Sequence, residues 1–259
     1  MQLEQLELTG GGTLTLYLRE SVEAMPHFRQ RPLVLVVPGG GYEHVSAREA
    51  DPVALQFAAA GYHTAVLTYS VGEGARDHQP LRQLRAAIGL LRQNAERWGI
   101  LPDRIAVCGF SAGGHVALSG AVLDCPGEAA DRSRKPDAVL LAYPVITAGE
   151  YRHDGSIVNL CGDDADLRTT MSLENQVRDG LPPFFVWHTV EDPSVPVQNS
   201  LMLAGALTAH KVPLELHLFA HDGHGTSTCT REVNTPNKHN SAWVALCTDW
   251  LAETFDFHL

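Results

Sequence analysis

Ser111 stands in the run Gly109-Phe110-Ser111-Ala112-Gly113-Gly114, with one glycine two residues before it and another two residues after it. That spacing suits a serine on a sharp strand-to-helix turn, because glycine lets the backbone bend tightly and lets the following helix pack close to the strand. The hydroxyl is then presented at a helix start, where the dipole favours developing negative charge. A serine held this way can attack a carbonyl carbon once a base removes its proton. A plain glycine turn with a capping serine is the alternative. The apolar run Ile105–Cys108 before it and the small residues Ala112, Ala117, Ser119, Gly120 and Ala121 after it argue for the nucleophile.

A second run, Pro38-Gly39-Gly40-Gly41-Tyr42, follows directly on the apolar stretch Leu33–Val37. Acyl transfer needs backbone N–H groups aimed at a tetrahedral oxyanion, and glycine lets the main chain come that close. The run does not have the G-x-G-x-x-G spacing of a dinucleotide site. Its place, after the strand that precedes the Ser111 unit, suits the oxyanion role.

An acid and a base can follow two later strands. Asp192 lies just beyond Phe184–Trp187, with Glu191 as its neighbour and competitor. His221 and His224 lie just beyond Leu214–Phe219, and His224 has glycine on both sides. A base that serves first the nucleophile and then the leaving group belongs on such a loop, which favours His224. His221-x-x-His224 also has a spacing two metal ligands could use, but no H-E-x-x-H pattern or cysteine pair accompanies it. No metal or organic cofactor is expected. The remaining histidines, among them His27, His63, His78, His153, His210, His239 and His258, read as surface or capping residues.

The elements that must position these groups alternate. Leu14–Leu18 alternates apolar and polar residues as a half-exposed strand does, and Leu33–Val37 is apolar throughout, as in a strand buried on both faces. Similar runs occur at Thr64–Thr68, Ile105–Cys108, Ala138–Ala142, Phe184–Trp187 and Leu214–Phe219. The first helix can begin with a Ser46–Glu49 capping box or at Asp51-Pro52, and Gly61 ends it. A second carries Leu81, Leu84, Ile88, Leu91, Ala95 and Trp98 as one stripe. Others start at Ser111, near Asn199 and near Ser241. Strands alternating with helices predict an α/β fold with a mostly parallel twisted sheet and helices on both faces. The first two strands are expected to form an antiparallel edge. Residues 1–259 read as one domain, in which 146–183 is an excursion that shapes the site, with no separate cap.

Composition excludes several classes. With 259 residues, 44% hydrophobic and 19% charged, the chain can bury a core. A net charge of −11 without any basic run excludes nucleic acid and anionic membrane as partners. No stretch approaches the roughly 20 apolar residues of a membrane-spanning helix. The polar N-terminus does not read as a secretory signal, and the five scattered cysteines suit a reducing compartment, so a cytoplasmic location is expected.

At these residues the sequence resembles the α/β-hydrolase superfamily, and within it the small cap-poor esterases termed acetyl-xylan or xylanase-linked, related to the hormone-sensitive-lipase group. The likeness runs from Pro32 to Leu251 and includes Tyr69-Ser70, Tyr143-Pro144, Trp187-His188-Thr189 and Asp192–Pro196. The order Ser111, Asp192, His224 is the one this fold uses. The resemblance implies Ser111 as nucleophile, Asp192 as acid and His224 as base, with Gly40, Gly41 and Ala112 giving the oxyanion N–H groups. It implies hydrolysis of short, acetyl-type esters, including those of carbohydrates, so the expected partner is a small-molecule ester. Tyr42, Glu43, His44, Tyr69, Phe110, Tyr143, His188 and Gly149–Asp166 are expected to ring the site and touch substrate. A homodimer fits the resemblance, though no residue marks one. A serine peptidase and a non-catalytic binding homologue are the rival readings. Three features depart from the pattern: Pro38 replaces the histidine that opens the lipase-group glycine loop, the N-terminal stretch is too short for that group's helical cap, and the loop 226–240 is long and without an assigned role.

Overall fold

The computed structural model describes residues 1–125 and 131–259. In chain order the main elements are β1 (Gln2–Glu7), β2 (Thr13–Leu18), β3 (Arg31–Val37), α1 (Asp51–Ala59), β4 (His63–Thr68), α2 (Gln79–Gln93), the short α3 (Ala95–Trp98), β5 (Ile100–Phe110), α4 (Ala112–Val122), β6 (Ala138–Ala142), α5 (Asp154–Cys161), α6 (Ala165–Thr170), β7 (Phe184–Thr189), α7 (Gln198–Ala209), β8 (Leu214–Phe219) and α8 (Ala242–Phe255). The strands form one sheet in the order β1-β2-β4-β3-β5-β6-β7-β8. From β4 through β8 every pairing is parallel, while β1–β2 and β2–β4 are antiparallel.

The unbroken apolar run of β3 has a direct physical reason. Leu33, Leu35 and Val37 join the core on one face, under α2, α4 and α7, and Val34 and Val36 join the core on the other, under α1 and α8. Successive side chains of a strand point to opposite faces, so a strand covered on both sides must be apolar at every position. The helices answer with single stripes: Leu81, Leu84, Ile88 and Leu91 on α2, and Trp243, Cys247, Leu251 and Phe255 on α8. α4, at the sheet centre, is buried over its whole length. Its Gly113 abuts the carbonyl oxygens of Val37 and Pro38 so closely that a methyl group would overlap them. All five cysteines are buried. Among the described residues no helix is long and apolar enough to cross a membrane.

Three local expectations need correction. The antiparallel edge is not made by the strands at Leu14 and Leu33: β2 pairs with β1 and β4, and β1, too polar to stand out in the sequence, forms the outermost strand. The stripe from Leu81 to Trp98 is interrupted at Asn94, whose side-chain amide donates to the Leu90 carbonyl at 2.9 Å and separates α2 from α3. Ser46 and Glu49 make no capping box. The helix starts at Asp51-Pro52, and the Glu49 carboxylate is turned to a different use.

Candidate active site

β5 ends at Phe110 and α4 begins at Ala112, so Ser111 carries the whole turn between them, with φ 52° and ψ −120°. A non-glycine residue in this region is strained by about 1–3 kcal/mol and persists only where its surroundings hold it. Here the Ser111 N–H donates to the Ala142 carbonyl at 3.0 Å, and the Ser111 carbonyl accepts from Val145 N–H and Gly114 N–H at 3.0 Å each. The strained turn sets the side chain above the C-terminal edge of the sheet.

Two loops at the same edge bring the partners. The Ser111 hydroxyl donates to His224 Nε2, with Oγ and Nε2 2.7 Å apart. On the other side of the ring, His224 Nδ1 lies 2.6 Å from Asp192 Oδ2. A carboxylate can only accept, so Nδ1 carries the proton and Nε2 is left to accept from the serine. The Asp192 side chain is fully buried. Its Oδ1 accepts from Ser194 N–H and Val195 N–H at 2.9 Å each, and His188 Nε2 lies 3.3 Å from Oδ2. Burial alone would raise the pKa of Asp192, but hydrogen bonds from His188 and His224, electrostatic attraction to the His224 ring and the Val195 N–H outweigh it and hold the carboxyl well below the usual carboxylate range.

The rivals for these roles are elsewhere. Glu191 and His221 face each other across 3.1 Å on the exposed surface. Among the described residues no group of three or more His, Cys, Asp or Glu is arranged to hold a metal ion.

The glycine loop is organised around two unpaired donors. Its carbonyls are all occupied: Pro38 accepts from the Tyr69 hydroxyl at 2.8 Å, Gly39 from Ser46 N–H at 3.0 Å, Gly40 from Glu43 N–H at 3.0 Å, Gly41 from Asn159 Nδ2 at 2.9 Å and Tyr42 from Gly72 N–H at 2.6 Å. Gly39 N–H donates to Glu49 Oε2 at 2.8 Å. Among the described residues no acceptor meets the N–H groups of Gly40, Gly41 or Ala112. Gly40 has φ +122°, and a side chain there would also overlap the His44 carbonyl. Only glycine fits.

Gly40, Gly41, Ser111 and His224 line a cleft of about 260 Å³ together with Glu43, His44, Arg48, His153 and Ser194. Five residues expected to touch substrate do not reach it, because each is buried in a supporting role. Tyr42 donates its hydroxyl to His115 Nδ1 at 2.8 Å, Tyr69 holds Pro38, and Phe110 packs between Tyr143 and Trp243. Tyr143 donates to Glu49 Oε1 at 2.8 Å and backs the His224 ring edge-on, while His188 bonds Ser200 Oγ and the Val195 carbonyl. Burial, followed by the charge of Glu49, pushes the Tyr143 phenol well above its ordinary range, which keeps it a donor.

Sequence reasoning missed several residues. Glu49 read as a capping residue, and Asn159 was expected near the site only as part of the stretch Gly149–Asp166, with no role of its own. His153 read as a bland residue but lines the cleft, with its Nδ1 accepting from Ser156 N–H as the cap of α5. The loop 226–240 braces the base: Asn240 Nδ2 donates to the His221 carbonyl at 2.8 Å, Ser227 N–H to the Tyr143 hydroxyl at 2.8 Å, and Trp243 Nε1 to the Ser227 carbonyl at 2.9 Å.

Residues 21–138 match the family model described as BD-FAE. Over 214 residues, 78% of this chain, the sequence is 39% identical to endo-1,4-beta-xylanase B of Butyrivibrio fibrisolvens, and the chain spans about a third (34%) of that protein's length. Among solved structures, the acetyl ester-xyloside bifunctional hydrolase of Caldicellulosiruptor lactoaceticus superimposes with a TM-score of 0.84 at 37% identity, covering 96% of this chain and 90% of that one. MGS-M1, an alpha/beta hydrolase enzyme from a Medee basin deep-sea metagenome library, superimposes with a TM-score of 0.80 at 33% identity over 98% of both chains.

Proposed function

The chain belongs to the α/β-hydrolase superfamily, and from that premise we propose that it is a serine carboxylic-ester hydrolase of short-chain esters, with acetyl groups on carbohydrate as its substrate class. The observation that carries this reading is the continuous hydrogen-bonded line from Ser111 Oγ through His224 to Asp192, at 2.7 and 2.6 Å.

The chemistry follows from that line. As the Ser111 oxygen attacks the acyl carbonyl, its proton passes to His224 Nε2. Asp192 holds the ring in the required tautomer and stabilises the imidazolium without taking the proton. The carbonyl oxygen becomes an oxyanion that accepts from Gly40, Gly41 and Ala112, whose N–H groups meet no other acceptor among the described residues. His224 then gives its proton to the departing alcohol, leaving the acyl group on Ser111. Water, activated by the same nitrogen, releases the acid.

The substrate class rests on two supports. The cleft is small, about 260 Å³, and its rim of His44, Ser46, Arg48, His153 and Ser194 offers hydrogen-bonding groups suited to a hydroxylated alcohol. The solved relative from Caldicellulosiruptor lactoaceticus is an acetyl ester-xyloside bifunctional hydrolase. The test is a panel of p-nitrophenyl acetate, p-nitrophenyl octanoate, acetylated xylo-oligosaccharide and a dipeptide amide, run on wild type and Ser111→Ala. Acetate hydrolysis well above octanoate, with nearly all of it lost in Ser111→Ala, is the expected result. Unchanged activity in Ser111→Ala together with sensitivity to chelators would sink the reading, and preference for octanoate would remove the substrate class.

A further inference from the structure

We infer that Glu49 and Asn159 are positioning residues for the oxyanion hole, gripping the glycine loop from opposite ends so that the N–H groups of Gly40 and Gly41 point at one place. This rests on the proposed reading of the Ser111 cleft as an ester-hydrolysing site.

The connectivity of the peptide units makes the point. The Gly40 N–H belongs to the unit joining residues 39 and 40, and the Gly41 N–H to the unit joining 40 and 41. Glu49 Oε2, 2.8 Å from Gly39 N, fixes the unit immediately before this pair. Asn159 Nδ2, 2.9 Å from the Gly41 carbonyl oxygen, fixes the unit immediately after it. Between the two anchors lie three glycines, of which Gly40 and Gly41 have φ +122° and +65°, and none has a side chain to hold its conformation. Ser46 N–H and Glu43 N–H hold the carbonyls of the two donor units from within the turn, and the side chains of Glu49 and Asn159 fix the flanking units from outside it; an oxyanion hole works only if its donors are fixed before the charge develops.

Both anchors are built into the fold. Glu49 is 3% exposed, and its second oxygen accepts from the Tyr143 hydroxyl at 2.8 Å, so one carboxylate ties the loop to the ring that backs His224. Burying a carboxylate with neutral donors is expensive, and a bare strand-to-helix turn does not require it. Asn159 projects from α5, whose buried Ile157, Leu160 and Cys161 seat that helix in the main core. The α5 start also packs on the loop: His153 Cε1 and Ser156 Oγ stand 3.9 Å from the position a Gly41 Cβ would take. The excursion 146–183 therefore acts on the reaction through its grip on the loop as well as by lining the cleft.

The test compares Asn159→Asp, Asn159→Ala and Glu49→Gln with wild type and Ser111→Ala. Asn159→Asp keeps the shape and replaces a donor with an acceptor facing the Gly41 carbonyl. Asn159 is only partly buried, so its variants leave the core intact and carry the test if Glu49→Gln does not fold. The substrates are an aryl acetate and its thionoester, in which sulfur, a weak acceptor, replaces the carbonyl oxygen. Expected is a fall in kcat of about tenfold or more, in line with the cost of small misplacements at a reacting centre, with KM within about twofold and melting temperature unchanged for the Asn159 variants. The ester should lose more than the thionoester, because only the oxygen depends strongly on the hole. Folded Asn159 variants with wild-type kcat, or an equal loss on both substrates, would overturn the inference. Wild type inactive on the aryl acetate, or Ser111→Ala as active as wild type, would overturn the reading of the site on which it stands.

Discussion

The ring of Tyr143 meets the imidazole of His224 edge-on, centroids 5.0 Å apart and planes at 70°, while its hydroxyl donates to Glu49 and accepts from Ser227 N–H. The phenol thus packs the base in place with its ring and joins the glycine loop to the loop after β8 with its oxygen. Tyr143→Phe keeps the ring and strands two buried polar partners, which should cost about 1–3 kcal/mol of stability. Tyr143→Leu should lower kcat further than Tyr143→Phe, because the face that restrains His224 goes too. Denaturant titrations and kcat on the two variants check this, and equal kcat in both would contradict it.

Asp192→Asn should lower kcat by about 10⁴ with KM little changed, because the amide favours the wrong imidazole tautomer. The same substitution has a pH signature. The folded carboxyl is held below its unfolded value of about 3.9. Its stabilising contribution is therefore complete above that value and is lost as the pH falls through the folded one. The stability gap between wild type and Asp192→Asn should be constant above about pH 5 and narrow below about pH 4. A gap that widens on acidification would show the opposite linkage.

Gly40→Ala should displace the loop. The position needs φ +122°, and the methyl group would overlap the His44 carbonyl oxygen. Loss of one aligned donor predicts a fall in kcat of about 10²-fold. Soluble, folded Gly40→Ala with wild-type kcat would argue that this N–H is not part of the hole.

His63 and His115 predict acid sensitivity well above the carboxylate range. Burial lowers His63 from 6.5 to about 4 against the opposing Gly99 carbonyl bond, with the charges of Arg31 and Arg19 adding to the shift. Burial likewise lowers His115 to about 4, against its bond to the Met171 carbonyl. Both are neutral in the fold, so the unfolded chain binds more protons once the pH drops below 6.5. Each should remove up to about 1.4 kcal/mol per pH unit between those limits. Unfolding free energies measured from pH 7 to pH 4 should decline, and His115→Gln should flatten part of the decline.

Much of the site was legible in sequence because each piece is local. Gly109-Phe110-Ser111-Ala112-Gly113 encodes its own turn, since the glycines and the strained serine serve a bend closed within a few residues. Pro38–Tyr42, Asp192 and His224 each follow an apolar strand, and in a parallel sheet the ends of such strands share one edge, so their order along the chain already brings them to the same side. The β3 run announced burial on both faces for the same local reason, the two-residue period of a strand.

What the tertiary structure alone decided is which side chains face the cleft and which hold it up. Tyr42, Tyr69, Phe110, Tyr143 and His188 sit at the right places along the chain to touch a substrate, yet the register of the turns sends each of them inward. Glu49 and Asn159 reach the glycine loop from 10 and 118 residues away, and Tyr143 reaches Glu49 from 94. No periodicity or spacing links such pairs, because a hydrogen bond across the fold depends on where whole helices and strands come to rest. The sequence by itself carried the nucleophile, its acid and base, and the layered sheet that lines them up. The packing of α5, the loop 226–240 and the Glu49 turn around that line emerged only when the core closed, since side-chain direction there is set by the burial of distant apolar faces.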